Sequence, residues 1–345
     1  MRGLIDALAH LCSLRDRAAL DAALVSVVSQ AGEGLAKAVR LIRLVGDERQ
    51  LHCLIRAEKQ FGKDECERLP AWVDWKDLPP LSHFAARLQA FEQGAIVRLG
   101  RHSHTLVIPV GHAAPPLNFL EIDSAESFPE NVLQTVRSII RLYENFEGLL
   151  DYGEKDALTE LLNRKTFDGA FAKMAIAQTA SDDLAHADRR SFHAAETHWL
   201  AVLDIDHFKR VNDNYGHLIG DEVLLLMARL MRTSFRFHDQ LYRFGGEEFV
   251  ILMRCAGHDD AFKVLERFRN TVLAFEFPQV GAITVSIGFA QLRSDDTPGG
   301  AFDRADKAVY WAKGHGRNQV CSYQQLLERG DLVEEVDASQ DVDFF

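Results

Sequence analysis

Arg243-Phe244-Gly245-Gly246-Glu247-Glu248-Phe249 lies between two apolar, strand-like arms, Leu241 to Phe244 and Glu247 to Met253. A Gly-Gly pair accepts the positive φ angles of a two-residue turn, so the stretch predicts a tight hairpin that aims carboxylates rigidly. Upstream, Leu200-Ala201-Val202-Leu203-Asp204-Ile205-Asp206-His207-Phe208-Lys209 ends another apolar strand in acids. Asp204 and Asp206 should share one strand face, and Glu247 and Glu248 should point to opposite faces, because side chains alternate with period two. Two buried strands, each delivering an acid at its tip, form the pattern of a two-metal phosphoryl-transfer site.

The surroundings predict an α/β fold. After the polar stretch Ser181 to Thr197 come a strand at Trp199–Ile205 and a helix from Asp221 to Phe235, striped by Val223, Leu224, Met227, Leu230 and Met231. Beyond the hairpin follow a helix (Asp259 to Phe275), a strand (Ala282 to Leu292), a helix (Phe302 to Lys313) and a strand (Gln319 to Tyr323). Strands and helices alternating around one hairpin imply a mixed sheet layered with helices. The acidic tail from Gln324 to Phe345 is expected to be flexible.

The 345 residues, 47% of them hydrophobic, suffice for two domains with separate cores. A formal net charge of −12 excludes a general nucleic-acid binder, so a phosphate-bearing ligand must meet local Lys and Arg or bound cations. The five cysteines are scattered without a C-x-x-C pair, which argues against a disulfide framework or zinc knuckle. No apolar run suits a membrane span, and Met1 to Leu14 lacks a clear signal-peptide cleavage site. A cytoplasmic protein is expected.

Residues 1–130 read as amphipathic helices from Leu4, then a strand at Val39–Val45 and strands at 51–55, 95–97, 105–110 and 118–122. Pro- and Trp-bearing loop sequence at Leu69–Pro80 interrupts them. In element order, and in its "LVIPV…FLEID" ending, this α+β module resembles a GAF-type sensory domain. Residues 131–157 follow, with Val132, Val136, Ile139, Tyr143, Phe146, Leu150, Gly153 and Ala157 spaced by four and three. That spacing reads as a coiled-coil signalling helix, or as a helix packed on its own domain. The histidines His52, His102, His104 and His112 show no ligand spacing.

From 158 to 323 the chain resembles the GGDEF domain of diguanylate cyclases. The resemblance rests on Asp156…Arg164, "DIDHFKRVNDNYGHLIGD", "RFGGEEF", "ITVSIGFA" and "DKAVYWAKGHGRN", in that order. It implies a palm-like mixed sheet of the nucleotidyl cyclase type and condensation of two GTP into cyclic di-GMP with release of pyrophosphate. It also implies two Mg²⁺ per half-site, with Mn²⁺ as substitute, held by Asp204, the Ile205 carbonyl and Glu247, and Glu248 as a further catalytic acid. The substrate-binding positions would be Phe208, Lys209, Asn212, Asp221, Lys313 and Arg317. Asp221 suits guanine, because a carboxylate accepts from N1–H and the exocyclic amine, whereas adenine offers an acceptor at N1. It could equally cap the helix beginning there.

Arg236-Phe237-His238-Asp239 matches the R-x-x-D motif through which family members bind cyclic di-GMP and shut down, with Arg267 as a secondary contact. A surface ion pair is the plainer reading of the same residues. Each subunit would hold one GTP, so the resemblance implies a homodimer, with an unidentified signal entering at the N-terminal domain. The alternatives are a catalytically silent cyclic di-GMP receptor and, disfavoured by Asp221, synthesis of a mixed purine cyclic dinucleotide. The sequence departs from the family's "LTGLxNR" motif at Glu160, which stands where Gly is usual.

Overall fold

The structure is a computed structural model that describes residues 2–32, 35–47, 50–62, 67–68, 77–99, 104–111, 114–172, 197–236 and 238–333. The polar stretch 181–196, the loop 69–76, His102, His112, Phe237 and the tail from 334 lie outside the described residues. The chain folds as two units, Met1–Gly153 and Glu154–Phe345. No helix among the described residues is long and apolar enough to cross a membrane.

The first unit opens with helices α1 (Arg2–Ser13) and α2 (Arg17–Ala31), the latter capped by Asp16, whose carboxylate accepts from the Ala19 N–H at 2.9 Å. Strands β1 (Ala36–Asp47), β2 (Gln50–Gln60) and β3 (Glu67–Arg68) follow, then a 3₁₀ turn at Leu81–His83 and helix α3 (Ala85–Gln93). Strands β4 (Val97–Leu99), β5 (His104–Val110) and β6 (Asn118–Ser124) precede the long helix α4 (Glu130–Glu154). The six strands pair antiparallel in the order β3-β2-β1-β6-β5-β4.

The period-two pattern gives this sheet two apolar faces. Val39, Leu41, Leu106, Ile108, Leu120 and Ile122 join α1, α2 and α4 in one core. Ile42, Leu44, Val107 and Phe119 meet α3 and the 3₁₀ turn in the other. Of the seam expected along α4, Val136, Ile139 and Tyr143 are buried in this unit's own core, and Val132, Phe146 and Leu150 pack against it. The helix lays that stripe on the apolar sheet, so along this length the seam is used by its own domain.

The second unit begins with β7 (Leu162–Asn163) and a helix α5 over 164–172. It continues with β8 (Thr197–Ile205), α6 (Phe208–Tyr215), α7 (His217–Ser234), β9 (Gln240–Gly245), β10 (Glu248–Cys255) and α8 (His258–Ala274). The ministrands β11 (Glu276–Phe277) and β12 (Gly281–Ala282) form a separate pair before β13 (Val285–Gln291), α9 (Pro298–Gly314), β14 (Val320–Ser322) and α10 (Tyr323–Glu328). The main sheet runs β14-β13-β8-β10-β9-β7, antiparallel at its centre and parallel at both edges, the mixed sheet that the sequence predicts.

One face of this sheet packs Trp199, Ala201, Leu203, Ile205, Phe249 and Ile251 against α7 and α8. The other receives α9, whose buried side is mostly alanine. That close approach depends on Gly288 of β13, where an added Cβ would lie 2.2 Å from the Ala305 carbonyl. Two expectations change. The tail is ordered at its start, because α10 buries Leu326. The helix assigned to begin at Asp221 begins at His217 with Gly216 as its N-cap, so Asp221 sits inside α7 and does not cap it.

Candidate active site

Strand register brings the acids together. Asp204, near the end of β8, lies opposite Glu248 of β10 on one side and Ser286 of β13 on the other. All three therefore point to the face that α9 covers. There Lys313, in the last turn of α9, puts its Nζ 2.7 Å from Asp204 Oδ2. The two-residue turn of the hairpin lies one residue later than the Gly-Gly reading predicts. Gly245 ends β9, the turn residues are Gly246 and Glu247, and β10 starts at Glu248. Gly246 takes φ +50°, a backbone that favours glycine. Glu247 thus stands in the turn itself, where burial first and nearby Asp204 second raise its carboxyl. Arg243 fixes the turn by donating to the Gly246 carbonyl from Nε and Nη2 (3.1 and 2.9 Å) and to Asp156 Oδ1 from Nη1 at 2.9 Å.

Asp204 and Asp206 stand near each other but differ in their partners. β8 ends at Ile205, and Asp206 turns inward to accept from Thr284 Oγ1 (2.7 Å), Ser286 Oγ (2.7 Å) and the Asn318 N–H (3.0 Å). It is buried and hydrogen-bonded by β13 and by residues that flank β13 and β14, a structural carboxylate. Asp204 keeps an open side. Burial pushes its carboxyl up, Lys313 pulls it down, and Asp206 and Asp306 push it up again. Burial likewise raises Glu247, Glu248 and Asp306, with Asp306 and Asp204 both acting on Glu248. Four carboxyls thus share a half-buried site, tempered by Lys313 and, at Glu248, by Arg164.

This donor set fits a hard divalent cation, because its negative charge exceeds what the nearby cationic side chains offset. Among the described residues no group of three or more His, Cys, Asp or Glu side chains is placed to hold a metal ion by itself. Mg²⁺ suits such a sparse site, since it takes one or two carboxylates and completes its shell with substrate phosphates and waters.

The α6–α7 pair stands at the same sheet end. Phe208 is buried at the start of α6, Lys209 is exposed beside it, and Asn212 is half-buried. Asn212 lies against Gly220 so closely that an added Cβ there would meet its Oδ1 at 2.0 Å. Asp221, the next residue, is exposed. Arg317 follows α9 with an exposed side chain and φ +62°. Sequence reasoning passed over Asp306 and Gly220. Asp306 was legible as a partner of Lys313 seven residues on, the same face of a helix two turns away. Gly220 had no local signal, because its importance is a contact between two helices.

The R-x-x-D residues close into a turn. Asp239 Oδ2 accepts from the Arg236 N–H at 2.8 Å, and the Asp239 N–H donates to the Arg236 carbonyl at 3.0 Å. Burial pushes the Asp239 carboxyl up to about 6, against the pull of Arg236 and Arg267. Arg267 reaches from α8 to donate to the Ser234 carbonyl at 3.2 Å. The three candidate residues of the inhibitory site are therefore neighbours.

The second unit is similar in sequence to known proteins. Residues 154–319 match the family described as diguanylate cyclase, GGDEF domain. Diguanylate cyclase DgcP of Pseudomonas aeruginosa is 44% identical over 124 residues, covering 35% of this chain and 18% of that protein. Diguanylate cyclase DgcM of Escherichia coli is 37% identical over 185 residues, covering 52% of this chain and 40% of that one. The chain thus spans less than two thirds of either relative. A crystal structure of the GGDEF domain of DgcB from Caulobacter crescentus, in complex with c-di-GMP, is 33% identical, covering 50% of this chain and 96% of that one with a TM-score of 0.43. The second unit of this chain belongs to the GGDEF domain family.

Proposed function

We propose that the protein is a diguanylate cyclase that condenses two GTP into cyclic di-GMP and pyrophosphate. The observation that carries this reading is the meeting of Asp204, Glu247 and Glu248 at adjoining strand ends, with Lys313 on Asp204. Asp204, the Ile205 carbonyl and Glu247 would hold Mg²⁺, which when bound supplies neutralisation of α-phosphate charge and a more acidic 3′-hydroxyl. Glu248, its carboxyl raised by burial and by Asp306, is suited to accept the proton of that hydroxyl. Lys209, Lys313 and Arg317 grip the triphosphate, and Lys313 leaves Asp204 to do so. Asn212 and Asp221 read guanine beside the buried ring of Phe208.

One subunit carries one GTP, so the reaction needs a homodimer in which each 3′-hydroxyl faces the opposite α-phosphate. The outer side of α4, with Leu149 and Tyr152 exposed, is available for that pairing. We read the first unit as a regulatory module of GAF type, supported by its antiparallel sheet with helices on both faces. Arg236, Asp239 and Arg267 form the product-inhibition site, and the protein works in the cytoplasm. Mass spectrometry of products formed from GTP, ATP and Mg²⁺ by the purified chain tests the reading. Cyclic di-GMP is expected. A mixed dinucleotide would overturn the guanine assignment, and binding of cyclic di-GMP without turnover would make the protein a receptor.

A further inference from the structure

We propose that Arg269 of α8, outside the cluster of strand-end acids, is a positioning residue that holds the turn presenting Arg317 to the triphosphate of GTP. The inference deepens the cyclase reading and rests on it for the role of Arg317.

The turn that leaves α9 is built against backbone preference. Arg317 and Asn318 take φ +62° and +45° in succession. Asparagine tolerates that left-handed region, whereas an arginine there is strained and stays only where its surroundings fix it. The Arg317 N–H donates to the Ala312 carbonyl at 2.9 Å, and Gln319 Nε2 donates to the Ala312 and His315 carbonyls at 3.0 and 2.8 Å, so the end of α9 is closed. The Arg317 side chain stays exposed, with no hydrogen-bond or ion-pair partner among the described residues. A strained backbone beneath an unpaired cation suits a group kept ready for a ligand.

Asn318 anchors this turn from two sides. Its N–H donates to Asp206 Oδ2 at 3.0 Å, and that carboxylate is itself fixed by Thr284 and Ser286. Its Oδ1 accepts from Arg269 Nη1 at 2.7 Å, a contact between residues 49 positions apart. The rest of the Arg269 guanidinium is tied down. Nε and Nη2 fork onto Glu266 at 2.9 and 2.6 Å, and Nη2 also donates to Asn270 Oδ1 at 2.6 Å. By itself that fork is an ion pair within one helix, of small energetic consequence. What it does here is aim Nη1 at Asn318 from a side chain only 12% exposed. Arg269 is thus a brace between α8 and the substrate turn. Without it Asp206 is the remaining anchor of Asn318, the left-handed backbone relaxes, and the Arg317 cation is no longer fixed where the phosphates arrive.

Equilibrium binding to the full chain with Mg²⁺ tests the brace. The probes are 3′-deoxy-GTP, which lacks the hydroxyl that would react, and GMP, which lacks the outer phosphates and is read by displacement of the triphosphate. Isothermal titration should show Arg269→Met weakening 3′-deoxy-GTP by about fivefold, the contribution of roughly one hydrogen bond, and leaving GMP unchanged. Asn318→Gly removes the acceptor while glycine still accepts the left-handed backbone, and should weaken the triphosphate to the same extent. In an Arg317→Ala background Arg269→Met should change nothing further, because both residues act on one contact. A merely structural role would weaken both nucleotides alike and add to Arg317→Ala. Triphosphate binding unchanged in both Arg269→Met and Asn318→Gly, equal loss for GMP, or full additivity with Arg317→Ala would each overturn the proposal. An unaltered chain that shows this binding pattern yet forms no cyclic di-GMP from GTP would sink the cyclase reading and leave the brace standing.

Discussion

Two clusters of charge, one in each unit, show opposite bookkeeping. On the first unit's sheet every carboxylate of the Glu58, Glu121 and Asp123 set accepts from an arginine, and Arg40 and Arg87 are shared among them. At the strand ends of the second unit, Asp204 has Lys313, while burial raises Glu247, Glu248 and Asp306, and repulsion from Asp204 adds to it at both glutamates. A paired network contributes to a stable local structure and fails when one member is removed. A cluster with surplus negative charge is strained by itself and gains when cations arrive. The difference separates a scaffold from the site proposed to work on a phosphate-bearing substrate.

Breaking the paired cluster should have the largest effect. Glu121→Ala leaves two arginines facing each other under α3 and should cost about 3–5 kcal/mol, read as a lower urea midpoint for the first unit. At the other cluster the expected changes fall on substrate and not on folding. Gly220→Ala displaces the Asn212 carboxamide, and should raise KM for GTP about tenfold with kcat little changed, because a ground-state contact is lost. Glu160 has φ +56°, a left-handed backbone that costs a side chain energy. Glu160→Gly should therefore stabilise the second unit by about 0.5–1 kcal/mol in thermal or urea denaturation.

The smallest effect sharpens the comparison through pH. Asp239, pushed up to about 6, is ionised at pH 7.5 and mostly protonated at pH 5.5. In the proposed product-inhibition site the ionised carboxylate would accept from a guanine edge, and the protonated form would lose that capacity. Cyclic di-GMP inhibition should weaken by roughly fourfold between those values, measured as the inhibition constant. The folded state holds this proton more tightly than the unfolded chain, so this group adds stability as pH falls through 6 and loses it as pH rises. Weaker inhibition at pH 5.5 would thus not reflect unfolding driven by Asp239.

Much of the second unit is legible in the sequence because its chemistry sits at strand ends. Alternation fixes which acids share a face, and glycines mark the turn between them. The limits of that reading are physical. Alternation stops where a strand stops, so Asp206, one residue past β8, could not be told from Asp204 by spacing alone. The positive φ at Glu160 was foreshadowed by the family's preference for Gly at that place. Contacts such as Asn212 with Gly220, or Asp306 with the strand-end acids, join residues from separate elements and leave no periodic trace. In the first unit the strands of β1, β2, β5 and β6 were legible from alternation, while the two-sided use of the sheet was not. A heptad spacing along α4 describes an apolar stripe, and an apolar sheet satisfies that stripe as well as a second helix does.

The central claim is that Asp204 belongs to a cation-gathering site and is no part of the scaffold. Cyclic di-GMP formation by Asp204→Asn, at saturating GTP and Mg²⁺, tests it most directly when read beside the thermal midpoint of the metal-free protein. The account predicts turnover lower by about a hundredfold or more and a midpoint that is unchanged or higher, because a repelling charge has been removed. Turnover equal to that of the unaltered protein would contradict it.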